Sequence, residues 1–237
     1  MGTRLFPLLE GSFAILHSDS DGNLYALRDF IGRKPLYFAV SGTESLIIGS
    51  EVKVFKGIGK DFKVQELFPG NYIKNNGIQI DFKKLDFCQV STDKEMGTED
   101  PVRSIDRFLN QAVEKRFSDK LYKYGVWLSG GLDSSIIAAI MKNYTDEINT
   151  YSVGFDKSPD IVYSRKVAEH IGSNHCEYNL DISELFDSIP EVIYTLESFD
   201  APLVRSSIGN LIVSRISSES DIIFSGEGGD EVFAGYN

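Results

Sequence analysis

The sequence is poor in cysteine and in long hydrophobic runs. Only two cysteines, Cys88 and Cys176, occur among 237 residues, and they lie far apart. They form neither a disulfide framework nor a zinc-ligand pattern, which indicates a reducing compartment. No apolar run approaches the length that crosses a membrane, and the start of the chain lacks the apolar core of a signal peptide. We therefore expect a cytoplasmic protein with no membrane partner and with free, buried thiols.

Positive charge is also in deficit. The chain has 24 Lys and Arg against 35 Asp and Glu, a net charge of −11. Such a chain lacks the basic patches that neutralise nucleic-acid phosphates, which argues against a nucleic-acid partner. ATP stays open as a ligand, because Mg²⁺ carries much of the phosphate charge. The composition, 42% hydrophobic and 25% charged, is that of a globular protein.

Two parts of the chain have different hydrophobic periods. Residues 12–81 contain short apolar runs separated by the turn signals DSDGN, SGTE and NNG, which are typical of antiparallel strands. Residues 86–100 are polar and aperiodic, which indicates a linker, and a helix is predicted from Pro101 to Phe117. Beyond Lys123, strand patterns alternate with helical ones, and Pro190 is expected to break or kink one helix. The alternation predicts a parallel sheet with helices on its faces.

The run SGGLDSS, residues 129–135, follows an apolar strand and opens a helix. Gly130 and Gly131 allow the backbone to approach an anion, and the free N–H groups of the helix start form an anion site. The hydroxyls of Ser129, Ser134 and Ser135 add donors. The run has neither the spacing and lysine of the P-loop nor the pattern GxGxxG. A capped strand–helix turn without a ligand is the alternative.

A second run of glycines and acids, FSGEGGDEVFAGY, covers residues 224–236 and again follows an apolar strand. Acids at this density repel one another unless a cation or water shares the site. Asp230 could hold Mg²⁺ together with Asp133, since this hard ion takes carboxylates and substrate phosphates. Glu227 could accept a proton. The alternative is a solvated acidic turn.

Three runs, VWLSGGLDSS, YSVGFDKSPD and FSGEGGDEVFAGY, resemble in this order the synthetase domain of glutamine-hydrolysing asparagine synthetases, whose fold β-lactam synthetases share. The upstream runs RDFIGRKPLYF, GSEVKVF and FPGNYI resemble the later part of that family's glutaminase domain. The resemblance implies an α/β ATP-pyrophosphatase domain, a HUP-like parallel sheet with helices on both faces, preceded by a partial antiparallel Ntn-type glutaminase-like region. The implied boundaries are 1–85 for the glutaminase-like region, 86–120 for a linker and helix, and 121–237 for the synthetase domain.

The resemblance also implies site residues. Those that would contact ATP and its pyrophosphate are Leu128, Ser129, Gly130, Gly131, Asp133, Ser134, Ser135, Val153, Ser225 and Gly226. Asp133 and Asp230 would hold Mg²⁺, and Glu227 would be a catalytic carboxylate near an adenylated intermediate. Arg205 would bind the carboxylate of the amino-acid substrate, with a surface or interdomain salt bridge as an equal alternative.

The implied reaction is the ATP-dependent amidation of aspartate. The side-chain carboxylate becomes β-aspartyl-AMP with release of pyrophosphate, and ammonia then displaces AMP. Pro202 and Leu203 stand where some asparagine synthetases carry hydroxyl residues. A ligase that adenylates another carboxylate, related to β-lactam synthetases or amidotransferases, therefore stays open. A non-catalytic nucleotide-binding fragment is the third alternative, and a homodimer is compatible with the sequence.

Both ends of the chain depart from the family pattern. Met1 precedes Gly2 where the family has an N-terminal cysteine nucleophile, and Glu10 stands where the family has a glutamine-binding aspartate. We therefore expect no glutamine hydrolysis by this chain and ammonia as its nitrogen donor. The chain stops at Asn237, before the helical segment that supplies a family lysine near the reacting phosphate. A synthetase domain that is incomplete at its C-terminus is expected.

Overall fold

A computed structural model describes residues 6, 8–41, 45–77, 79–85, 100–117, 121–233 and 235. The chain divides into two compact units, Met1–Met96 and Gly97–Asn237. Each unit has its own hydrophobic core. The linker predicted at 86–100 lies outside the described residues except for Asp100.

Antiparallel pairing organises the first unit, whose described residues form seven strands and a 3-10 turn at Val52–Phe55. The strands are β1 (Ala14–Ser18), β2 (Leu24–Arg28), β3 (Tyr37–Ser41), β4 (Ser45–Gly49), β5 (Lys63–Glu66), β6 (Asn71–Asn75) and β7 (Ile80–Lys84). They pair in two antiparallel sheets, of order β1-β2-β6-β7 and β4-β3-β5. The antiparallel region predicted from the turn signals is confirmed.

β5 is the strand that the hydrophobic pattern does not predict. Its residues KVQE are mostly exposed, and Val64 alone among them is partly buried. β5 lies at the edge of its sheet, where side chains need not be apolar. Leu27 of β2 and Ile73 of β6, in contrast, lie in the two central strands of the other sheet and are almost completely inaccessible.

Asp29 closes the loop that follows β2. Its carboxylate accepts hydrogen bonds from the backbone N–H groups of Phe13 at 3.0 Å, Ile31 at 3.1 Å and Gly32 at 2.7 Å. Burial opposes ionisation of this carboxyl, but the backbone donors outweigh burial and hold the pKa of Asp29 below its ordinary value of 3.8. The neighbouring Arg28 pairs with Glu66 at 2.5 Å. These contacts fix the start of the RDFIGRKPLYF run.

The second unit is built on a parallel sheet, and its described residues form four strands and six helices. In chain order these are α1 (Pro101–Glu114), β8 (Tyr124–Trp127), α2 (Leu132–Met141), β9 (Asn149–Gly154), α3 (Pro159–Ile171), β10 (Asn174–Asn179), α4 (Ile182–Leu196), α5 (Ala201–Ile216), β11 (Ile222–Phe224) and α6 (Gly229–Phe233). The strand order is β10-β9-β8-β11, and every pair is parallel.

Helices cover both faces of this sheet. Val126 of β8 and Leu128, which directly follows this strand, pack with residues of α1, α2 and α3 in one hydrophobic cluster. Val153 of β9 packs with residues of α4 and α5 in another cluster. Side chains alternate between the faces of a strand, so the two clusters lie on opposite sides of the sheet. The predicted fold is confirmed: an antiparallel region comes first in the chain, and a parallel sheet with helices on both faces follows it.

Two helices differ from the sequence-based expectation. α4 runs from Ile182 to Leu196 as one helix, so Pro190 does not break it, and a kink at this residue stays a prediction. α5 begins at Ala201, seven residues earlier than its apolar pattern predicts. The side chain of Asp200 accepts a hydrogen bond from the Leu203 N–H at 2.9 Å and caps this helix. The segment around Arg205 is therefore regular helix.

The apolar face predicted for α1 is only partly covered. Val113 near its end is buried in the core, whereas Val102, Ile105 and Phe108 nearer its start are exposed. Cys176 is free but exposed, so its predicted burial is wrong, and Cys88 lies outside the described residues. A search of the described residues finds no helix of the length and apolarity that a bilayer crossing requires.

Candidate functional site

A cavity of about 440 Å³ lies at the carboxyl ends of the parallel strands. It is lined by the loop after β8, the loop after β11, the end of β9 and one face of α5. Ligands of open α/β sheets bind at this edge, where the loops that follow parallel strands converge. The two glycine-rich loops that stand out in the sequence therefore meet at one site.

Gly130 shapes the first loop, although it does not itself line the cavity. Its φ is +78°, and a Cβ at this position would lie 2.4 Å from the backbone nitrogen of Ser164 and 2.5 Å from the carbonyl carbon of Tyr163. No side chain fits between the loop and α3, so the position requires glycine. The contact of Gly130 with Tyr163 and Ser164 holds the loop against α3. The next residue, Gly131, is the N-cap residue of α2.

α2 begins without a side-chain cap. Its N-cap residue is Gly131, and the N–H groups of Leu132 and Asp133 have no acceptor in the part of the chain that the structure describes. All three residues line the cavity. Free N–H groups and the positive end of the helix dipole attract anions. This end of the cavity is therefore suited to an anionic group.

The hydroxyl groups of the first loop are ordered by contacts within the loop. Ser129 Oγ and Ser134 Oγ lie 3.0 Å apart, and Ser129 Oγ accepts a hydrogen bond from the Gly131 N–H at 3.3 Å. Ser135 Oγ donates to the Gly131 carbonyl at 2.6 Å. Ser129 and Ser134 line the cavity, whereas Ser135 does not. The structure thus brings two of the three predicted hydroxyls to the site.

The second loop packs directly on the start of α2. A Cβ at Gly226 would lie 2.7 Å from the backbone nitrogen of Ser134 and 2.9 Å from Asp133 Cβ. A Cβ at Gly229 would lie 2.7 Å from Asp133 Cγ. Gly226 needs glycine, because a larger residue would meet the backbone of α2 and separate the two loops, whereas a Cβ at Gly229 would meet only the carboxylate end of Asp133. The contact places the Asp133 carboxylate against the backbone that leads into Asp230.

The charge of the cavity lining has one sign. Its acidic residues come from four segments, and they are Asp133, Asp160, Glu227, Asp230 and Glu231. No lysine or arginine among the described residues lines the cavity. Carboxylates at this density repel an anion unless a cation accompanies it. A cation beside these carboxylates would favour an anionic ligand at the start of α2.

Most of the predicted site residues lie together. Those that line the cavity are Leu128, Ser129, Gly131, Asp133, Ser134, Val153, Ser225, Gly226, Glu227 and Asp230. Glu227 is exposed at the cavity, and Asp133 and Asp230 are half-buried. Gly130 and Ser135 support the loop without lining the cavity.

Arg205 is not brought to the cavity. It lies on the exposed surface of α5, and no carboxylate among the described residues forms an ion pair with it. The cavity face of α5 is formed instead by Gly209, Asn210 and Val213. A role for Arg205 in binding a substrate carboxylate stays a prediction.

Several lining residues were missed by sequence reasoning. They are Trp127, Leu132, Tyr151, Ser152, Asp160, Gly209, Asn210, Val213, Gly228 and Glu231. The position of Trp127, next to the end of a predicted strand, was a usable signal. A glycine inside a helical pattern was a second signal, at Gly209. The inward face of α5 could not be predicted, because it depends on the packing of that helix over β9.

Two family models match the chain. The model described as "Asparagine synthase" matches residues 104–237, and the one described as "Glutamine amidotransferase domain" matches residues 1–57. The chain belongs to the asparagine synthase family. The residues matched by the first model include both loops of the cavity, so the site lies within the part of the chain that carries the family pattern.

Curated members of the family are similar over nearly the whole chain. "Asparagine synthetase [glutamine-hydrolyzing]" of Homo sapiens is 34% identical over 261 residues, which cover 97% of this chain and 46% of that protein. "Asparagine synthetase B [glutamine-hydrolyzing]" of Escherichia coli (strain K12) is 32% identical over 256 residues, covering 99% of this chain and 45% of that protein. The chain thus spans about half the length of these relatives.

Among solved structures, a glutamine-dependent NAD⁺ synthetase from Acinetobacter baumannii in complex with ADP is 15% identical. The match has a TM-score of 0.43 and covers 84% of this chain and 38% of that chain. A similarity at this level carries no argument about the site.

Proposed function

We propose that the second unit binds ATP in this cavity and adenylates the side-chain carboxylate of aspartate, which ammonia then converts to the amide. The observation that carries the proposal is the contact of two glycine-rich loops at the carboxyl edge of a parallel sheet. Membership of the asparagine synthase family supports it. The products would be asparagine, AMP and pyrophosphate.

The phosphates of ATP belong at the start of α2. The uncapped N–H groups of Leu132 and Asp133, with the hydroxyls of Ser129 and Ser134, supply donors on one side of the cavity. Donors held in place before the reaction stabilise charge that develops on a leaving pyrophosphate. Ser225 and Gly226 would bound the nucleotide from the second loop.

The contact of the Asp133 carboxylate with the second loop, next to Asp230, supports a Mg²⁺ site at this point. The Asp133 carboxylate lies against Gly229, next to Asp230. The described residues contain no group of three or more His, Cys, Asp or Glu side chains arranged to hold a metal alone. Mg²⁺ commonly takes one or two carboxylates and completes its shell with water and substrate phosphates. When bound, it would neutralise phosphate charge during the displacement.

The two chemical steps exchange bonds at phosphorus and then at carbon. An oxygen of the aspartate carboxylate forms a bond to the α-phosphorus while the bond to pyrophosphate breaks. Ammonia then bonds to the acyl carbon while AMP leaves. We place Glu227 as the acceptor of the proton that ammonia loses, because this side chain is exposed at the cavity and carries a basic oxygen.

The test is the exchange of labelled pyrophosphate into ATP, measured with Mg²⁺ and aspartate and without a nitrogen donor. We expect exchange that depends on aspartate. Asp133→Asn removes one of two carboxylates offered to the metal and should lower the exchange rate at least about tenfold. Asp187→Asn, an exposed aspartate on α4, is the matched control and should exchange like the wild type.

The outcomes separate the three candidate functions. Exchange that depends on a different carboxylate would identify another adenylating ligase. ATP binding without exchange for any carboxylate would support a nucleotide-binding role and contradict the adenylation proposed here.

The proposal also includes small-molecule substrates, no nucleic-acid partner and a cytoplasmic location. The net charge of −11 and the low cysteine content support these points.

A further inference from the structure

Gly209 occupies a costly position for a glycine. It lies inside α5, which runs from Ala201 to Ile216. Glycine disfavours a helix interior more than any residue except proline, because its backbone loses the most freedom there. The fold alone would favour alanine at this position, so the absence of a side chain calls for another reason.

The space beside Gly209 is open. Among the described residues, a Cβ there would meet one atom within 4 Å, Val153 Cγ1 at 3.8 Å, which is an ordinary van der Waals distance. Both residues line the cavity. An added methyl group would therefore clash with no protein atom, and it would project into the cleft between α5 and the end of β9.

The part of the cavity beside α5 and β9 differs from the part at the start of α2, where the phosphates are proposed to bind. Trp127 and Tyr151 line it from adjacent strands, and Val213 lines it from α5. Trp127 Nε1 donates a hydrogen bond to Ser217 Oγ at 3.0 Å, and Tyr151 Oη lies 2.8 Å from Ser220 Oγ. The polar atoms of both rings are thus occupied away from the ligand. The remaining surfaces suit a flat, largely apolar group.

Asn210 is the polar side chain that α5 adds to this compartment. It is exposed and directly follows Gly209. A carboxamide presents one donor and one acceptor side by side. On the edge that carries N7, adenine offers an amino donor beside a ring-nitrogen acceptor, which asparagine can pair with through two hydrogen bonds, whereas guanine offers two acceptors there.

We propose that Gly209 and Asn210 determine which nucleobase the cavity accepts. Gly209 leaves the room in which an adenine ring lies beside Trp127, and the Asn210 amide pairs with the edge of that ring. This inference rests on the proposed function, because it requires a nucleotide with its phosphates at the start of α2.

The experiment measures binding of ATP, GTP and inorganic triphosphate, each with Mg²⁺, by calorimetry. Trp127, the single tryptophan of the chain, gives a parallel fluorescence signal. The wild type should prefer ATP, with a change in Trp127 emission. Gly209→Ala should weaken ATP binding about tenfold without lowering the melting temperature, and should leave triphosphate binding unchanged. Asn210→Ala should reduce the preference for ATP over GTP at least about fivefold.

Ser206→Ala is the matched control, since Ser206 is exposed on the same helix and does not line the cavity. It should bind every ligand like the wild type. If the wild type binds neither nucleotide, the proposed function itself fails, and this inference fails with it. If the wild type binds ATP while Gly209→Ala keeps its affinity or Asn210→Ala keeps its preference, only the inference about base selection is overturned.

Discussion

At the residue scale, Gly130 and Gly172 both have positive φ but need glycine for different reasons. Gly130 has φ of +78° and is pressed against the backbone of α3. Gly172 has φ of +66° and is the C-cap residue of α3, with no atom within 4 Å of an added Cβ. The first position needs glycine for both its backbone angle and its contact, and the second for its backbone angle alone.

Alanine substitutions at Gly130 and Gly172 can separate the energetic cost of a left-handed backbone from the cost of steric overlap. Gly172→Ala should cost about 1–2 kcal/mol of unfolding free energy, the strain of a left-handed residue. Gly130→Ala should cost more than about 3 kcal/mol, because its Cβ would overlap backbone atoms that cannot rotate away. Urea unfolding measures both values. Equal losses in the two variants would show that α3 yields to the loop and that the contact is not restrictive.

Residue-level reasoning from sequence reaches as far as the signal is local. Ser129, Gly131 and Asp133 belong to one run after an apolar strand, and the structure places all three at the cavity. The neighbour of Gly130 could not be predicted, because Ser164 lies 34 positions further along the chain and meets the loop only when α3 packs on the sheet. Gly209 is visible as a glycine inside a helical pattern, but its position beside Val153 depends on the packing of α5 and could not be predicted.

At the scale of elements, the start of α5 decides which residues face the cavity. Asp200 caps this helix, and Asp181 caps α4 in a similar way, with its carboxylate accepting from the Ser183 N–H at 3.1 Å. α5 lines the cavity and α4 does not. The two caps are therefore a matched pair for separating the stability of a helix from its role at the site.

Asp200→Ala and Asp181→Ala should each lower the unfolding free energy by about 1 kcal/mol, the usual value of an N-cap. Only Asp200→Ala should also weaken ATP binding, because fraying of the first turn of α5 would disturb the face that carries Gly209. Thermal unfolding and calorimetric titration of both variants provide the comparison. A similar loss of ATP affinity in Asp181→Ala would refute a specific role for the start of α5.

Strands and helices with a strong hydrophobic period could be predicted from the sequence, whereas elements that depend on pairing or packing with neighbouring elements could not. The short polar strand β5 pairs along the edge of its sheet and carries no apolar pattern. The start of α5 was hidden because Pro202 and Arg205 interrupt the apolar period, although Pro202 belongs to the first turn of the helix.

At the scale of the whole molecule, several shifted pKa values act in the same direction as the pH falls. His175 Nδ1 lies 2.8 Å from Thr150 Oγ1, and burial lowers the pKa of His175 below its ordinary value of 6.5 despite the nearby Glu177 carboxylate. A hydrogen bond from Arg165 lowers the pKa of Glu177, and backbone donors lower that of Asp29. In each case the unfolded chain binds the proton more readily than the folded one.

Stability should therefore fall in two ranges of pH. The contribution of His175 is present above about 6.5 and is lost as the pH falls toward its lower folded pKa, while Glu177 and Asp29 lose theirs below about 4.5. His175→Gln should remove the upper phase and leave the lower one, as measured by urea unfolding at a series of pH values. His170→Gln, on the exposed surface of α3, is the control. An unchanged upper phase in His175→Gln would assign that phase to another group.

The order of the parallel strands was not available from the sequence, even though each strand was. Alternation of strands and helices indicates a parallel sheet, but only packing places β11 beside β8 and so brings its loop to the start of α2. The meeting of Asp133 with the second loop is a consequence of topology, since the residues involved are almost 100 positions apart.

All charged residues that line the cavity are acidic, so under the proposed function the nucleotide and the metal would depend on each other. If neither is accepted alone, each must raise the affinity for the other by the same factor, as thermodynamic reciprocity requires. Occupancy of the cavity would then follow the product of the two free concentrations, so that a cell rich in ATP but short of free magnesium would leave the site largely empty.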